Sequence, residues 1–293
     1  MSEYYEPRTV QEACELVARH ADDGKVLAGG TALVLFMRQQ LLRPEHLINI
    51  QRIDGLGGIH VQGGEITIRA LTTHAQAARS SHLRDQYPAL AETFAKVATP
   101  RIRNAGTVGG NLAHGDPHLD PPVTLLALDA WVDAESSAGQ RRIPLRQFFR
   151  DYYETALHPD EILTQVGVPV RKARCGLAFI KFLPRSQDDY AAVDVAVWLR
   201  LAQNRDGVEA ARIALGSVGP VPLRAFGAER VLEASALEED ALAEAGRLAA
   251  AACDPESDVR GSTAYKRELV SVLVGRAIRK AVADAARADG QDI

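Results

Sequence analysis

Lys25-Val26-Leu27-Ala28-Gly29-Gly30-Thr31-Ala32-Leu33 governs how the rest of this chain is read. Lys25-Val26-Leu27 has the character of a buried strand, Gly29-Gly30 breaks it with a tight turn, and Thr31 stands as the N-cap of a helix expected over 32–40. A strand that turns through bare backbone into a helix start leaves N–H groups unpaired and carries a partial positive charge, which suits a pyrophosphate. Thr107-Val108-Gly109-Gly110-Asn111 repeats the device further along. Thr107 offers a hydroxyl, two glycines remove Cβ obstruction, and Asn111 either caps the next element or holds a phosphate. Each Gly-Gly taken alone is also what an ordinary turn looks like.

The bulk numbers bound the answer. With 293 residues, 46% apolar and 25% charged, the chain is expected to be a soluble globular protein of two or three domains with a sizeable core. A net charge of -4 leaves no basic excess to attract nucleic acid, which is disfavoured as a partner. The first residues, Met1-Ser2-Glu3-Tyr4-Tyr5-Glu6-Pro7, lack a basic region followed by an apolar stretch, and no apolar run is long enough to form a transmembrane segment. A cytoplasmic location is expected. Cys14, Cys175 and Cys253 are odd in number and far apart, so they read as small buried hydrophobes rather than a disulfide framework or a sequence-local metal or cluster site.

Along the chain, a helix is expected over 9–21, with Thr9 and Glu12 as a capping box and Val10, Ala13, Cys14, Val17 and Ala18 as its apolar stripe. The strand at 25–28, the Thr31 helix and the run His46-Leu47-Ile48-Asn49-Ile50 make a small α/β unit that ends where Asp54-Gly55-Leu56-Gly57-Gly58 breaks the pattern. A hairpin comes next, with Ile59 and Val61 alternating, Gly63-Gly64 turning, and Ile66 and Ile68 continuing. One helical pattern spans 83–97, another 123–127, and strands are expected at Trp131-Val132 and over 162–168 before the basic turn Arg171-Lys172-Ala173-Arg174. Strands are then expected over 177–182, 193–201 and 208–216, the last two joined by a hairpin turn at 204–207, and after them helices over 225–233, 237–253 and 264–286. Runs of strands followed by runs of helices argue for α+β, a helical layer on an antiparallel sheet.

Taken together, Ala28-Gly29-Gly30-Thr31, the stretch Arg101-Ile102-Arg103-Asn104-Ala105-Gly106-Thr107-Val108-Gly109-Gly110-Asn111, and Asp120-Pro121-Pro122 resemble the flavin-binding medium subunit of the molybdenum hydroxylases, the xanthine dehydrogenase and aerobic carbon monoxide dehydrogenase family. The resemblance covers nearly the whole chain. Asp160-Glu161-Ile162-Leu163, Lys181-Phe182-Leu183-Pro184-Arg185, Asp188-Asp189-Tyr190-Ala191 and the late 260–267 stretch also look like its landmarks, in matching order and spacing. It implies a mixed α/β fold: a two-part N-terminal FAD-binding α/β region (residues 1–55 and 56–174), then a C-terminal antiparallel sheet with three helices (175–293). By the same resemblance, FAD lies between the first two units. Val26, Leu27, Ala28, Gly29, Gly30, Thr31, Ala32 and Leu33, with Thr107, Val108, Gly109, Gly110 and Asn111, would cradle its pyrophosphate and ribityl chain. Asp120 would make a polar contact, Leu163 would pack on the isoalloxazine, Lys181 would lie near its edge, and Val97 stands where some relatives carry an aromatic residue.

The family reading makes the chain an electron-transfer subunit of a heterotrimer, with no catalytic side chain of its own assigned. A large molybdopterin subunit oxidises the substrate, a small subunit with 2Fe-2S clusters relays electrons, and the whole would be a dimer of heterotrimers. Three scattered cysteines cannot hold those clusters, so the iron–sulfur partner must be separate. The run His114-Gly115-Asp116-Pro117-His118-Leu119-Asp120 invites a metal reading, but its proline-broken spacing does not fix the side chains on one face, and no metal is assigned. Two rivals are a self-contained flavin oxidoreductase, for which Tyr190 or His114 would have to serve as acid or base, and a nonenzymatic nucleotide-binding regulator. No Gly-Lys-Ser or Gly-Lys-Thr phosphate loop is present to support ATP or GTP binding of that kind.

Overall fold

The computed structural model describes residues 2–186, 188–203 and 207–288. Its first unit runs β1 (Glu3–Tyr5), α1 (Val10–Arg19), β2 (Gly24–Leu27), α2 (Leu33–Arg38) and β3 (His46–Asn49). The strands form a parallel sheet in the order β1-β3-β2. Thr9 caps α1 by accepting the Glu12 N–H at 3.1 Å. The Glu12 carboxylate, however, accepts from the Arg8 N–H, so the reciprocal half of the expected capping box is displaced by one residue. Ala13, Cys14, Leu16 and Val17 form the buried stripe, Leu16 taking the place expected of Ala18, and Cys14 donates to the Glu135 carbonyl of the next unit.

The middle unit begins with the hairpin β4 (Ile59–Gln62) and β5 (Glu65–Arg69). Gly63 and Gly64 both take positive φ, 60° and 82°, as a two-residue turn matched to strand twist demands. Six short helices follow: α3 (His74–Arg79), α4 (Ser81–Gln86), α5 (Pro88–Ala95), α6 (Pro100–Ala105), α7 (Val108–His114) and α8 (Asp120–Ala127). The single helix expected over 83–97 is two, because Pro88 offers no N–H to continue α4 and starts α5 instead. Then come β6 (Trp131–Ser136), β7 (Gly139–Pro144), β8 (Phe149–Asp151), β9 (Glu154–Thr155) and β10 (Ile162–Pro169). The main sheet is antiparallel, ordered β4-β5-β10-β6-β7, with β8 and β9 a separate pair. β10 lies at its centre and is buried along most of its length, which is why it reads as a continuous apolar run.

The C-terminal unit is β11 (Cys175–Phe182), β12 (Val193–Leu201), β13 (Val208–Gly216) and β14 (Leu223–Arg224), then α9 (Phe226–Glu233), α10 (Glu239–Ala251) and α11 (Thr263–Ala288). The sheet is antiparallel in chain order, as expected; of the turn expected over 204–207, residues 204–206 lie outside the described residues. Both faces of β12 are buried in strict alternation. Val193, Val195, Val197 and Leu199 belong to the core shared with the three helices, while Ala196 and Trp198 belong to the core of the middle unit. Asp194 lies on that second face. No helix among the described residues is long and apolar enough to cross a membrane.

Candidate functional site

The two glycine turns, far apart in sequence, meet. A Cβ at Gly29 would fall 2.0 Å from the Ala105 carbonyl oxygen, one at Gly106 3.4 Å from the Thr31 hydroxyl, and one at Gly110 3.9 Å from the Ala28 Cβ. The 28–33 turn thus rests on the end of α6 and faces the first turn of α7. This contact corrects the expected role of two glycines. Gly29 must be bare to lie against the Ala105 backbone, and Gly109 to lie against Ala70, where a Cβ would come within 2.6 Å. They are bare because protein packs there. Gly110, whose added Cβ would meet only the Thr107 hydroxyl at 2.9 Å and Ala28 beyond, is the member of its pair that lies between the two turns.

The turns also differ in what their backbones offer. Gly30 has φ +70°, so the chain leaves β2 and re-enters helix only at Leu33; Ala32 is the cap position and makes no side-chain cap bond, in place of the expected Thr31. Among the described residues the N–H groups of Gly29, Gly30, Thr31, Ala32 and Leu33 find no acceptor. Successive free N–H groups around a left-handed glycine are the kind of main chain that can receive an anion. The second turn is different. Thr107 caps α7 by accepting the Gly110 N–H, and the N–H groups of Val108, Gly109 and Asn111 are taken by Thr72, Ala70 and Thr107. Its amides are spent, and what it presents is the bare Gly110 and the Asn111 side chain, whose Oδ1 is buried without a partner. Of the two turns expected to offer amides, only the first has N–H groups left without a protein acceptor among the described residues.

Two residues hold the paired turns in place. The Gln51 side-chain amide donates to the Ala28 carbonyl at 2.6 Å, and the His74 backbone N–H at the start of α3 donates to the Gly106 carbonyl at 3.0 Å. His74 is stacked on Phe94, and burial lowers its pKa to about 4, with the Arg103 charge adding to the effect. Neither residue stands out in the sequence, because neither Gln51 nor His74 carries a motif; they act on main-chain groups brought close only by the fold.

Asp120 and Lys181 pair with each other. The Lys181 Nζ lies 2.9 Å from Asp120 Oδ2 and donates to the Lys96 carbonyl at 3.1 Å, with both side chains almost wholly buried. Asp120 Oδ1 is buried without a partner. Burial raises the Asp120 pKa to about 6 against the opposing pull of Lys181 and Lys96. Directly across the β11–β12 ladder from Lys181 stands Asp194, fully buried, accepting from Ser217, with its own Oδ1 unpartnered. Burial and the neighbouring Asp120 hold its carboxyl well above the usual range. Asp194 was not anticipated, since within an otherwise apolar strand only the fold shows what it faces.

Two of the remaining candidates are in the core. Leu163 is buried in β10 opposite Ala134, and Val97 is buried with its carbonyl held by the Arg103 guanidinium at 2.8 Å. Val26 and Leu27 lie in β2 and remain half-buried, as do Ala28 to Leu33 after them. In the 114–120 run, Asp116 accepts from the His118 N–H and ring nitrogen and from the Tyr153 hydroxyl, while His114 packs against Phe36 and Tyr153. Burial lowers the His114 pKa and raises that of Tyr190.

Against known proteins, residues 1–171 match the family described as the FAD binding domain in molybdopterin dehydrogenase, and residues 178–281 match the CO dehydrogenase flavoprotein C-terminal domain. The carbon monoxide dehydrogenase medium chain of Hydrogenophaga pseudoflava is 36% identical over 95% of this chain and 96% of its own. The 6-hydroxypseudooxynicotine dehydrogenase complex subunit alpha of Paenarthrobacter nicotinovorans is also 36% identical, over 96% of this chain and 94% of its own. Among solved structures, a chain of the Hydrogenophaga pseudoflava carbon monoxide dehydrogenase lacking the Mo-pyranopterin moiety superposes with a TM-score of 0.93 at 37% identity, covering 97% of this chain and 98% of that one.

Proposed function

The chain belongs to the FAD-binding medium-subunit family of the molybdenum hydroxylases, and on that basis we propose that it is the electron-transfer flavoprotein of a heterotrimeric oxidoreductase. A separate 2Fe-2S subunit supplies electrons, a large molybdopterin subunit oxidises the substrate, and a terminal acceptor receives the electrons from this chain, in a cytoplasmic dimer of heterotrimers. The buried Cys14, Cys175 and Cys253, scattered among different elements, support placing the clusters on a partner. Relatives of equal identity are named for carbon monoxide and for a hydroxylated pseudooxynicotine, so likeness in this subunit does not select a substrate.

The observation that carries the reading is the row of N–H groups from Gly29 to Leu33 that have no acceptor among the described residues, in a turn set beside the bare Gly110, with Asn111 and its unpartnered oxygen next in the chain. The residues fit FAD: the amides would hold its diphosphate, the Asn111 carbonyl oxygen would accept from a ribityl hydroxyl, and Asp120 Oδ1 would accept from a second polar group. When bound, FAD supplies the exchange between one-electron and two-electron transfer. Lys181 holds a buried ammonium against Asp120, which keeps it oriented. Both stand in low dielectric, where charge acts at greatest strength.

The test is flavin content in the assembled complex purified from its host. The wild type should show oxidised-flavin absorption near about 370 and 450 nm, bleached by the holoenzyme's substrate. Gly110→Val, which thrusts a branched side chain between Thr107 and Ala28, should lose the flavin at least about tenfold while hydrogen exchange in β11 to β13 stays protected. Normal flavin in that variant contradicts the cradle, and turnover of a small organic substrate by this chain without partners contradicts the electron-transfer role.

A further inference from the structure

We propose that His20, Asp23 and His46 form a binding site for one divalent transition-metal ion of the zinc class, at the opposite end of β2 from the Gly29 turn. His20 closes the C-terminus of α1, Asp23 lies in the turn after it, and His46 opens β3 beside Gly24. The backbone around them is pinned. The His20 N–H donates to Leu16, the His20 carbonyl accepts from Gly24 at 2.7 Å, and the Asp23 carbonyl accepts from Glu45 at 3.0 Å.

One ligand atom from each side chain lies within 4.8 Å of the other two, and His46 Nε2 is 3.9 Å from Asp23 Oδ2. Ligands of a tetrahedral zinc ion at its usual bond lengths stand about 3.4 Å apart, so this pair closes by a few tenths of an ångström. His20 Nε2 is buried without a partner. An imidazole nitrogen buried unpaired costs free energy, which a bound cation returns. The His46 Nδ1 is hydrogen-bonded with the Tyr5 hydroxyl at 3.4 Å and lies 3.5 Å from Glu3 Oε2; in the tautomer with Nδ1 protonated, that side of the ring is held by Tyr5 and drawn to the Glu3 carboxylate, and Nε2 keeps its lone pair. Glu3 and Asp23 against the nearby Arg19 leave the corner net negative.

The two imidazoles are stacked, with centroids 3.7 Å apart and planes 28° from parallel. His20 turns about its soft terminal torsion to bring a nitrogen to the ion that His46 Nε2 and Asp23 face. Two imidazoles and one carboxylate with a fourth position open to water match zinc, and imidazole ligation disfavours magnesium and calcium. The ion would tie α1 to β3 across a unit whose own core is the smallest of the three and borrows Ile162 from β10. A staple of that kind stabilises a small unit in proportion to its occupancy.

The full chain, stripped with a chelator and titrated with Zn²⁺ alone at neutral pH, should bind one equivalent with a dissociation constant of about 10 µM or tighter and melt at a higher temperature when loaded. His20→Ala and His46→Ala should weaken binding by about a hundredfold or more, and Glu3→Ala by about tenfold, through loss of the carboxylate that orients the His46 ring. Added Co²⁺ should give the wild type the intense visible bands of a tetrahedral ion, a readout that needs no variant to fold. No zinc binding in the micromolar range, affinity unchanged in His20→Ala, or a cobalt spectrum of the hexaaqua ion overturns the site.

Discussion

Lys181 is the residue whose role the fold changes most. Its ammonium is enclosed with Asp120, and removing it leaves a buried carboxylate with no counter-charge. Lys181→Met should therefore cost roughly 3–5 kcal/mol at neutral pH, and Asp120→Asn in the same chain should return most of it; denaturant unfolding of the two single variants and the double variant measures the coupling. Gly29 acts through shape alone. Gly29→Ala should destabilise by roughly 3 kcal/mol and dislodge the turn from α6, whereas Gly57→Ala, with nothing within 4 Å of the added methyl, should stay within about 0.5 kcal/mol of wild type. A Gly29→Ala chain of unchanged melting temperature would show that the turn is not seated on Ala105. The glycines were legible in the sequence as places of close approach. What approaches was not, because the Ala105 carbonyl and the Ala70 side chain are set against them only by the meeting of distant segments.

Elements were legible where one period dominates, and blurred where packing or an imino acid overrides it. Alternation found β4 and β5, the three long strands of the C-terminal sheet stand where they were expected, and helical patterns found α1, α9, α10 and α11. β7 was missed because its Gln140, Arg141 and Arg142 mask the alternation. Its arginines reach Glu161, Asp133 and Glu65, and Ile143 is its one buried apolar side chain. α2 is shorter than its apolar run suggests, and none of its residues is buried. Among the helices, α3 links pH to the site. His74 is held neutral, with a folded pKa of about 4 below its ordinary 6.5, so the stability it contributes is complete above about pH 6.5 and drains as pH falls toward 4. Roughly 3 kcal/mol rides on that interval. His74 also begins the element that holds Gly106, so acid should loosen the site along with the fold. His74→Gln should flatten the stability-versus-pH curve between about pH 4 and 6.5 in denaturant melts; a curve as steep as wild type would place the acid lability elsewhere.

The whole molecule is three units whose sheet faces are shared. The C-terminal sheet is covered on one side by α9 to α11 and on the other by the middle unit, and α1 docks the first sheet on β6 and β10. Ion pairs from Arg212 and Arg224 to Asp129, and from Arg171 to Asp284, cross between units. The antiparallel sheet and the cofactor class could be read from the sequence because each rests on local pattern or on motifs in a fixed order. The Asp120–Lys181–Asp194 cluster could not, since it joins a helix start to two strands of another unit through contacts that no local pattern encodes. On the proposed function, one diphosphate is held by the backbone of residues 29–33 against Gly110 and Asn111, and a crystal structure of the assembled, flavin-loaded complex would decide it. Phosphate oxygens should lie within hydrogen-bonding distance of N–H groups in Gly29 to Leu33, with Asn111 turned toward the ribityl chain; a diphosphate bound away from that turn would refute the proposal.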